Sequence, residues 1–297
     1  MIEPIYRWAE GWEADPGNRL DAPVLVVSLD GWVDAGGAAS ETIKQLRAEA
    51  AATTVVTFTA ENFIDQRARR PVVRLVDGVN VEMTWPTMTI SAGTDDADSS
   101  VLFLDGPEPD FHWPTFVDAV VSIARQCGVR MVVGLGAFPA PTPHTRPMRL
   151  ASTVPPESAD LVGRVGTVRG TLDVPAGVHA ALEVGFGQAG IPAITLWARV
   201  PHYVSAMPYP DASAALIEGL NSVSGLLFDA SSFHADGVAA RRQIDELIAG
   251  NHDHVEMVRQ LEAAVEAEQA EDAFDMEVPS GDEIAAELEQ FLRGEGG

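Results

Sequence analysis

Lysine is almost missing from this chain. Of its 19 basic residues Lys44 is the single lysine, and the others are arginines. Chemistries that grip phosphates or form Schiff bases through lysine therefore have one candidate side chain. Cysteine is as scarce: Cys127 stands alone, so no internal disulfide can form and a reducing compartment is expected. Cys127 ends a predicted helix and reads as a small core residue. There is no apolar run of about 18 residues, so no membrane-crossing helix is expected. The segment 1–17 carries Glu3, Glu10, Glu13 and Asp15, with no basic start and no apolar stretch, so no signal peptide is expected and the cytoplasm is the expected location. The chain lacks C-x-x-C, H-E-x-x-H, G-x-S-x-G and the glycine-rich nucleotide fingerprints. His252 and His254, two apart on a predicted helix, do not share a face. No metal and no cofactor are expected.

Positive charge is short overall. With 19 basic against 44 acidic residues the net charge is −25, which argues against nucleic acid and against anionic membranes as partners. The deficit is uneven. Residues 235–297 hold 17 acids and 4 basic residues, a net of −13, while the 234 residues before them carry −12. With 297 residues, 46% of them hydrophobic, the chain can still bury a large core.

What is present alternates between strand and helix signals. Val24–Leu29, Thr53–Phe58, Val101–Leu104, Met131–Leu135 and Ile194–Ala198 are short apolar or β-branched runs that predict buried strands. Ala38–Ala50, Trp113–Cys127, Gly177–Gln188 and Asp211–Leu220 predict helices, with Asp211 a candidate N-cap. Val72–Val76 and Val81–Trp85, split by Asp77-Gly78, predict a hairpin. Continuous apolar strands in this alternation predict an α/β fold with a largely parallel sheet covered on both faces. The tail predicts three helices: 235–249, 252–272 and 280–292. The second has a stripe of Val255, Val258, Leu261 and Val265, and the third opens on a Ser280/Glu283 capping box. The domain expectation is a core over 1–234 and an acidic helical extension over 235–297.

Four segments fall just past the carboxyl ends of predicted parallel strands, the edge where open α/β sheets carry their ligand crevice. The first holds Asp30, Gly31, Trp32, Asp34, Gly36 and Gly37. It offers backbone N–H groups to an anion, or it is a tight turn capped by Asp34 or Asp30. The second sets Glu108 between two prolines ahead of Asp110 and Trp113. It presents a fixed carboxylate for proton transfer, or it is a stiff connection with Asp110 as cap. The third holds His144 and Arg146, suited to anion binding, or it is a proline-stiffened loop with a paired arginine. The fourth is His202-Tyr203, a polar contact that fixes a loop if it is nothing more.

Taken in order, Gly31-Trp32-Val33-Asp34-Ala35-Gly36, Gly106-Pro107-Glu108-Pro109-Asp110 with Trp113, Pro143-His144-Thr145-Arg146-Pro147, and Pro201-His202-Tyr203 with Pro208 and Pro210 resemble the proteasome assembly chaperone 2 family in its actinobacterial branch. The tail around Ser280-Gly281-Asp282-Glu283-Ile284 is similar to that branch as well. The resemblance implies a three-layer α/β/α core similar to the nucleoside phosphorylase fold, with a C-terminal helical appendage. It also implies a homo-oligomer, a trimer being one form it allows, and a protein partner such as the proteasome. It carries no catalytic residues onto this chain. Family members that dock on the proteasome often end in a hydrophobic–Tyr–any-residue tail. This sequence ends Arg293-Gly294-Glu295-Gly296-Gly297, without that motif. Some relatives carry an ATP-grasp label, which sits poorly with a single lysine. The leading expectation is a non-catalytic assembly or scaffolding protein. The alternative is a phosphorylase- or hydrolase-like enzyme or sensor using the strand-end crevice. If the four segments converge on an open pocket, the second gains. If they are paired and closed off, the first does.

Overall fold

A computed structural model describes residues 4–31, 33–167 and 170–277. Its frame is an eight-stranded sheet. The strands in chain order are β1 (Tyr6–Trp8), β2 (Val24–Asp30), β3 (Thr53–Phe58), β6 (Thr89–Thr94), β7 (Ser100–Pro107), β8 (Met131–Ala140), β9 (Leu150–Thr153) and β10 (Ala193–Pro201). Their spatial order is β1-β3-β6-β7-β2-β8-β10-β9. The four central strands, β7, β2, β8 and β10, run parallel. The flanking pairs β1/β3, β3/β6, β6/β7 and β9/β10 are antiparallel. The expected parallel sheet is thus its centre, and the whole is mixed.

The central strands are apolar on both sides, so helices must cover both. Val24, Val26, Val133, Leu135, Ile194 and Leu196 join one buried cluster with α1 (Ala38–Glu49) and α4 (Pro210–Ser224). Leu25, Val27, Val132 and Ala193 join a second with α2 (Trp113–Gln126) and α3 (Val178–Gln188). Cys127 is buried in this second cluster, and its burial pushes the thiol up to about 11. It behaves as a small apolar residue.

The tail is drawn onto this frame. Helix α5 (Ser231–Ala249) packs on α4 and sinks Ile244 into the first cluster. Helix α6 (His252–Glu277) turns Val258 and Val265 inward, with Val255 and Leu261 half-buried beside them. The helix expected over 280–292 lies outside the described residues, as does Trp32.

Two capping expectations fail. Helix α4 begins at Pro210 after Tyr209, so Asp211 sits inside its first turn, where it accepts a hydrogen bond from Arg241 at 3.1 Å. Asp110 does not cap α2, whose N-cap is His112. Asp110 instead accepts the backbone N–H of Asp65 at 2.8 Å and faces Arg69 at 3.4 Å. In both cases the carboxylate faces an arginine distant in sequence.

Gly36 joins the lead-ins of α1 and α4. Its N–H donates to Ser205 O at 2.7 Å, and its own carbonyl accepts Tyr209 N–H at 3.1 Å. It holds φ +69°, and a Cβ there would lie 2.7 Å from Tyr209 Cβ. Gly37 has φ +63° but its nearest obstacle, Ser40 Oγ, is 3.9 Å away. Gly36→Val therefore combines a left-handed backbone with overpacking and is expected to cost about 2–5 kcal/mol, against about 1–2 kcal/mol for Gly37→Val. Thermal denaturation of the two variants checks the ranking. Equal losses would refute it.

Candidate functional site

The four predicted segments do lie together at the carboxyl edge of the parallel strands, but as two groups. The backbone of Gly36 joins them, through its hydrogen bonds to Ser205 and Tyr209 in the loop after His202-Tyr203.

The first group gathers at the ends of β2 and β7. Glu108 N–H donates to Asp30 O at 2.6 Å, locking the two strand ends. Arg69 Nη1 donates to the same carbonyl at 3.1 Å. Gly31 makes this crowding possible: a Cβ there would meet Arg69 Nη2 at 2.6 Å and Glu108 Cβ at 2.9 Å. The Glu108 carboxylate accepts the N–H of Val178, the first residue of α3, at 2.6 Å. A carboxylate against a helix N-terminus is held there by the free N–H and by the helix dipole. Asp30 is held above the ordinary carboxylate range, first by lost solvation, then by repulsion from Asp34 and Asp105, with Arg69 opposing. Trp113 donates its indole N–H to Pro109 O at 2.6 Å, closing the connection before α2.

Asp34 lies beside them and caps. Its carboxylate accepts the N–H groups of Ala39 (2.8 Å) and Ser40 (3.1 Å) and the Ser40 hydroxyl (2.7 Å). The N-terminus of α1 is therefore already satisfied by the chain's own acid, as the plainer of the two expectations had it.

The second group follows β8 and β10. His144 is 3% exposed, and both ring nitrogens are engaged. Nε2 lies 3.0 Å from an Asp245 oxygen on α5, and Nδ1 lies 2.7 Å from the Tyr203 hydroxyl. A carboxylate can only accept, so the neutral ring carries its proton on Nε2 and takes the Tyr203 O–H at Nδ1. The same hydroxyl accepts His144 N–H at 2.9 Å. Burial, then the charges of Glu262 and Asp245, push the Tyr203 hydroxyl up to about 12, with the His144 N–H opposing. It stays protonated, far from the range where a general acid or base works at neutral pH. Arg146 pairs with Glu266 and faces Glu262 at 3.9 Å, and Thr145 donates to Glu262, all from α6. His202 is exposed, with its ring edge-on to Tyr203 and Nδ1 3.4 Å from Ala140 O.

The sequence profile of the PAC2 family matches residues 28–248. The chain belongs to the PAC2 family. It is similar to a proteasome-assembly chaperone homologue from Mycobacterium tuberculosis, with 36% identity over 79% of this chain and 99% of that one and a TM-score of 0.74. A PAC2 family protein from Streptomyces avermitilis shares 31% identity over 80% of this chain and 99% of its own, at a TM-score of 0.70. A protein of unknown function from Corynebacterium glutamicum shares 28% identity over 89% and 98%, at 0.83. A comparison with curated protein sequences finds no match.

This PAC2 protein holds one further polar cluster that the sequence reading missed. On the α3 side of the sheet, Glu183 accepts the Thr153 hydroxyl at 2.7 Å and is hydrogen-bonded to Thr195. Burial first, against those hydrogen bonds, raises its carboxyl. One helical turn earlier, His179 meets the Trp197 ring edge-on at 6.1 Å, and its buried Nε2 has no hydrogen-bond partner. The small space beside it, lined also by Leu182, Glu183 and Thr195, has room for a single water. The signal was an H-x-x-x-E spacing on a helix, which by itself predicts a shared face and nothing more.

Burial lowers the His179 imidazole to about 4, so it is neutral in the folded chain at neutral pH. The unfolded chain binds that proton below about 6.5, so between these values unfolding takes up protons and stability is lost as the pH falls. The loss reaches about 3 kcal/mol by pH 4. Glu183, raised rather than lowered, acts in the opposite sense. The wild-type-minus-variant difference for His179→Gln isolates the histidine, and its slope should vanish above pH 6.5. A difference that does not change between pH 4 and 6.5 would contradict this. Tyr203→Phe removes the hydroxyl that serves both His144 N–H and Nδ1. It is expected to cost about 1–3 kcal/mol, read by chemical denaturation, with a loss under 0.5 kcal/mol as the contrary result.

Proposed function

We propose that this chain is a homo-oligomeric, non-catalytic assembly or scaffolding protein, acting in the cytoplasm, whose partners are proteasome subunits. The observation that carries this reading is that the chemistry-bearing side chains of the strand edge, the exposed His202 apart, are occupied by the chain itself. Asp34 caps α1, Glu108 caps α3, His144 is held at both nitrogens, and Arg146 is matched by α6. A general acid, base or nucleophile needs a free face toward a substrate. The similarity to a proteasome-assembly chaperone homologue supports the partner class. We assign residues 1–234 to the α/β core and 235–297 to a helical extension, anchored through Ile244, that offers its acidic outer side to a partner. A closed ring, a trimer in the first instance, is the proposed assembly.

The rival reading, an enzyme or sensor for small molecules, has one specific observation behind it. A cavity of about 760 Å³ lies beside β8, β9, β10 and α4, and its walls include Arg149, Arg164 and Arg199. That volume suits a small organic anion.

Reconstitution separates the two. Mixing the purified protein with the proteasome subunits of its own host should give a complex with unassembled subunits and faster appearance of the assembled particle, while calorimetry with phenyl phosphate shows no heat of binding. Stoichiometric binding of phenyl phosphate, with no effect on assembly, would move the assignment to the rival.

A further inference from the structure

We infer that the hairpin of β4 (Val72–Val76) and β5 (Val79–Thr84) is the arm by which one copy of this chain grips an acidic surface of the next. The inference rests on the homo-oligomeric reading above and names the surface responsible.

The hairpin forms a two-stranded sheet apart from the main one, with no extensive contact to any other element. Such a hairpin is marginal in water unless something packs on it. Its side chains are also wrong for a solvated excursion. Val72 and Leu75 are 69% and 60% exposed, and Val79, Val81, Met83 and Trp85 about half or more. Val73 faces Met83 and Val76 faces Val79 across the strands, while Arg74 faces Glu82 and Leu75 faces Asn80, so apolar pairs alternate with polar partners along the ribbon. An apolar patch of this extent marks an interaction surface.

Charge says what the partner is. Arg67 and Arg70 at the base and Arg74 on β4 are exposed, and none of them makes an ion pair among the described residues. They belong to a segment, 66–85, whose four arginines outnumber its two acids, Asp77 and Glu82, a net of +2 where the rest of the chain carries −27; Glu82 stands opposite Arg74 across the strands. Other arginines are matched by the chain's own acids: Arg47 by Asp105, Arg69 by Asp110, Arg146 by Glu266, Arg241 by Asp211. The arm is therefore net positive against a strongly acidic body: arm-to-arm contact brings like net charges together, and arm-to-body contact brings opposite ones. Such a head-to-tail contact uses two different patches and closes into a ring when the rotation permits.

Two variants of the full chain test this by sedimentation velocity, with circular dichroism as the check on folding. Val81→Ser/Met83→Ser/Trp85→Ser removes the apolar grip, and Arg67→Glu/Arg70→Glu/Arg74→Glu reverses the charge. Wild type should sediment as a discrete oligomer. Each variant should keep its secondary structure and shift to monomer, with self-association weakened roughly ten-fold or more. An oligomeric wild type whose variants both keep its size overturns the arm and leaves the homo-oligomeric reading standing. A monomeric wild type overturns both. If the variants keep their size but lose binding to proteasome subunits, the arm serves that partner and the inference fails. Binding of labelled DNA or RNA at physiological salt, abolished by the arginine substitutions, overturns it in favour of nucleic acid.

Discussion

Parallel strands that are apolar on both sides must be covered on both sides, and each covering helix has to be reached by a connection at the strand's end. That constraint sends every turn after β2, β7, β8 and β10 to one edge of the sheet. Polar residues accumulate there, because turns and helix starts need them. Whether such an edge becomes an active site depends on what the polar groups meet. Here they meet each other, the N-termini of α1 and α3, and the two tail helices.

The His144 contacts illustrate how complete the closure is. A buried imidazole with one unmatched nitrogen would cost free energy, and with a solvent-facing nitrogen it would be a proton donor or acceptor in waiting. In this fold one nitrogen faces Tyr203 and the other faces Asp245, which belongs to α5. The tail thus does more than shield apolar surface: it supplies the acid that fixes the histidine's tautomer. Arg146 and Thr145 repeat the pattern with α6.

Much of this was readable from residues. The apolar runs located β2, β7, β8 and β10, because central strands are apolar on both sides, and the β-branched run TTVVTF located β3 on the flank. Strands β1, β6 and β9 escaped. They are short or carry residues such as Ser91, Ala92 and Gly93, and they form only because a partner strand stands ready to pair. Asp34 as a cap was legible from its distance ahead of the helix. The opposite outcome at Asp110 and Asp211 was not, since Arg69 and Arg241 lie 41 and 30 residues away in sequence. The same holds for the tail. Its stripes announced that it packs on something, but nothing local to them names the loop of His144 as the target.

The clasp between that loop and the tail has a consequence in time. The contacts from His144, Thr145 and Arg146 to α5 and α6 span 101, 117 and 120 residues. A ribosome adds about 5–20 residues per second, so these partners emerge roughly 5–25 seconds after the loop does. For that interval a newborn chain has its sheet's most polar corner open, with an imidazole and a guanidinium awaiting their acids. Helices α5 and α6 leave the ribosome after the loop and are the ones that shut it, and a chain released before them would be left with the corner ajar.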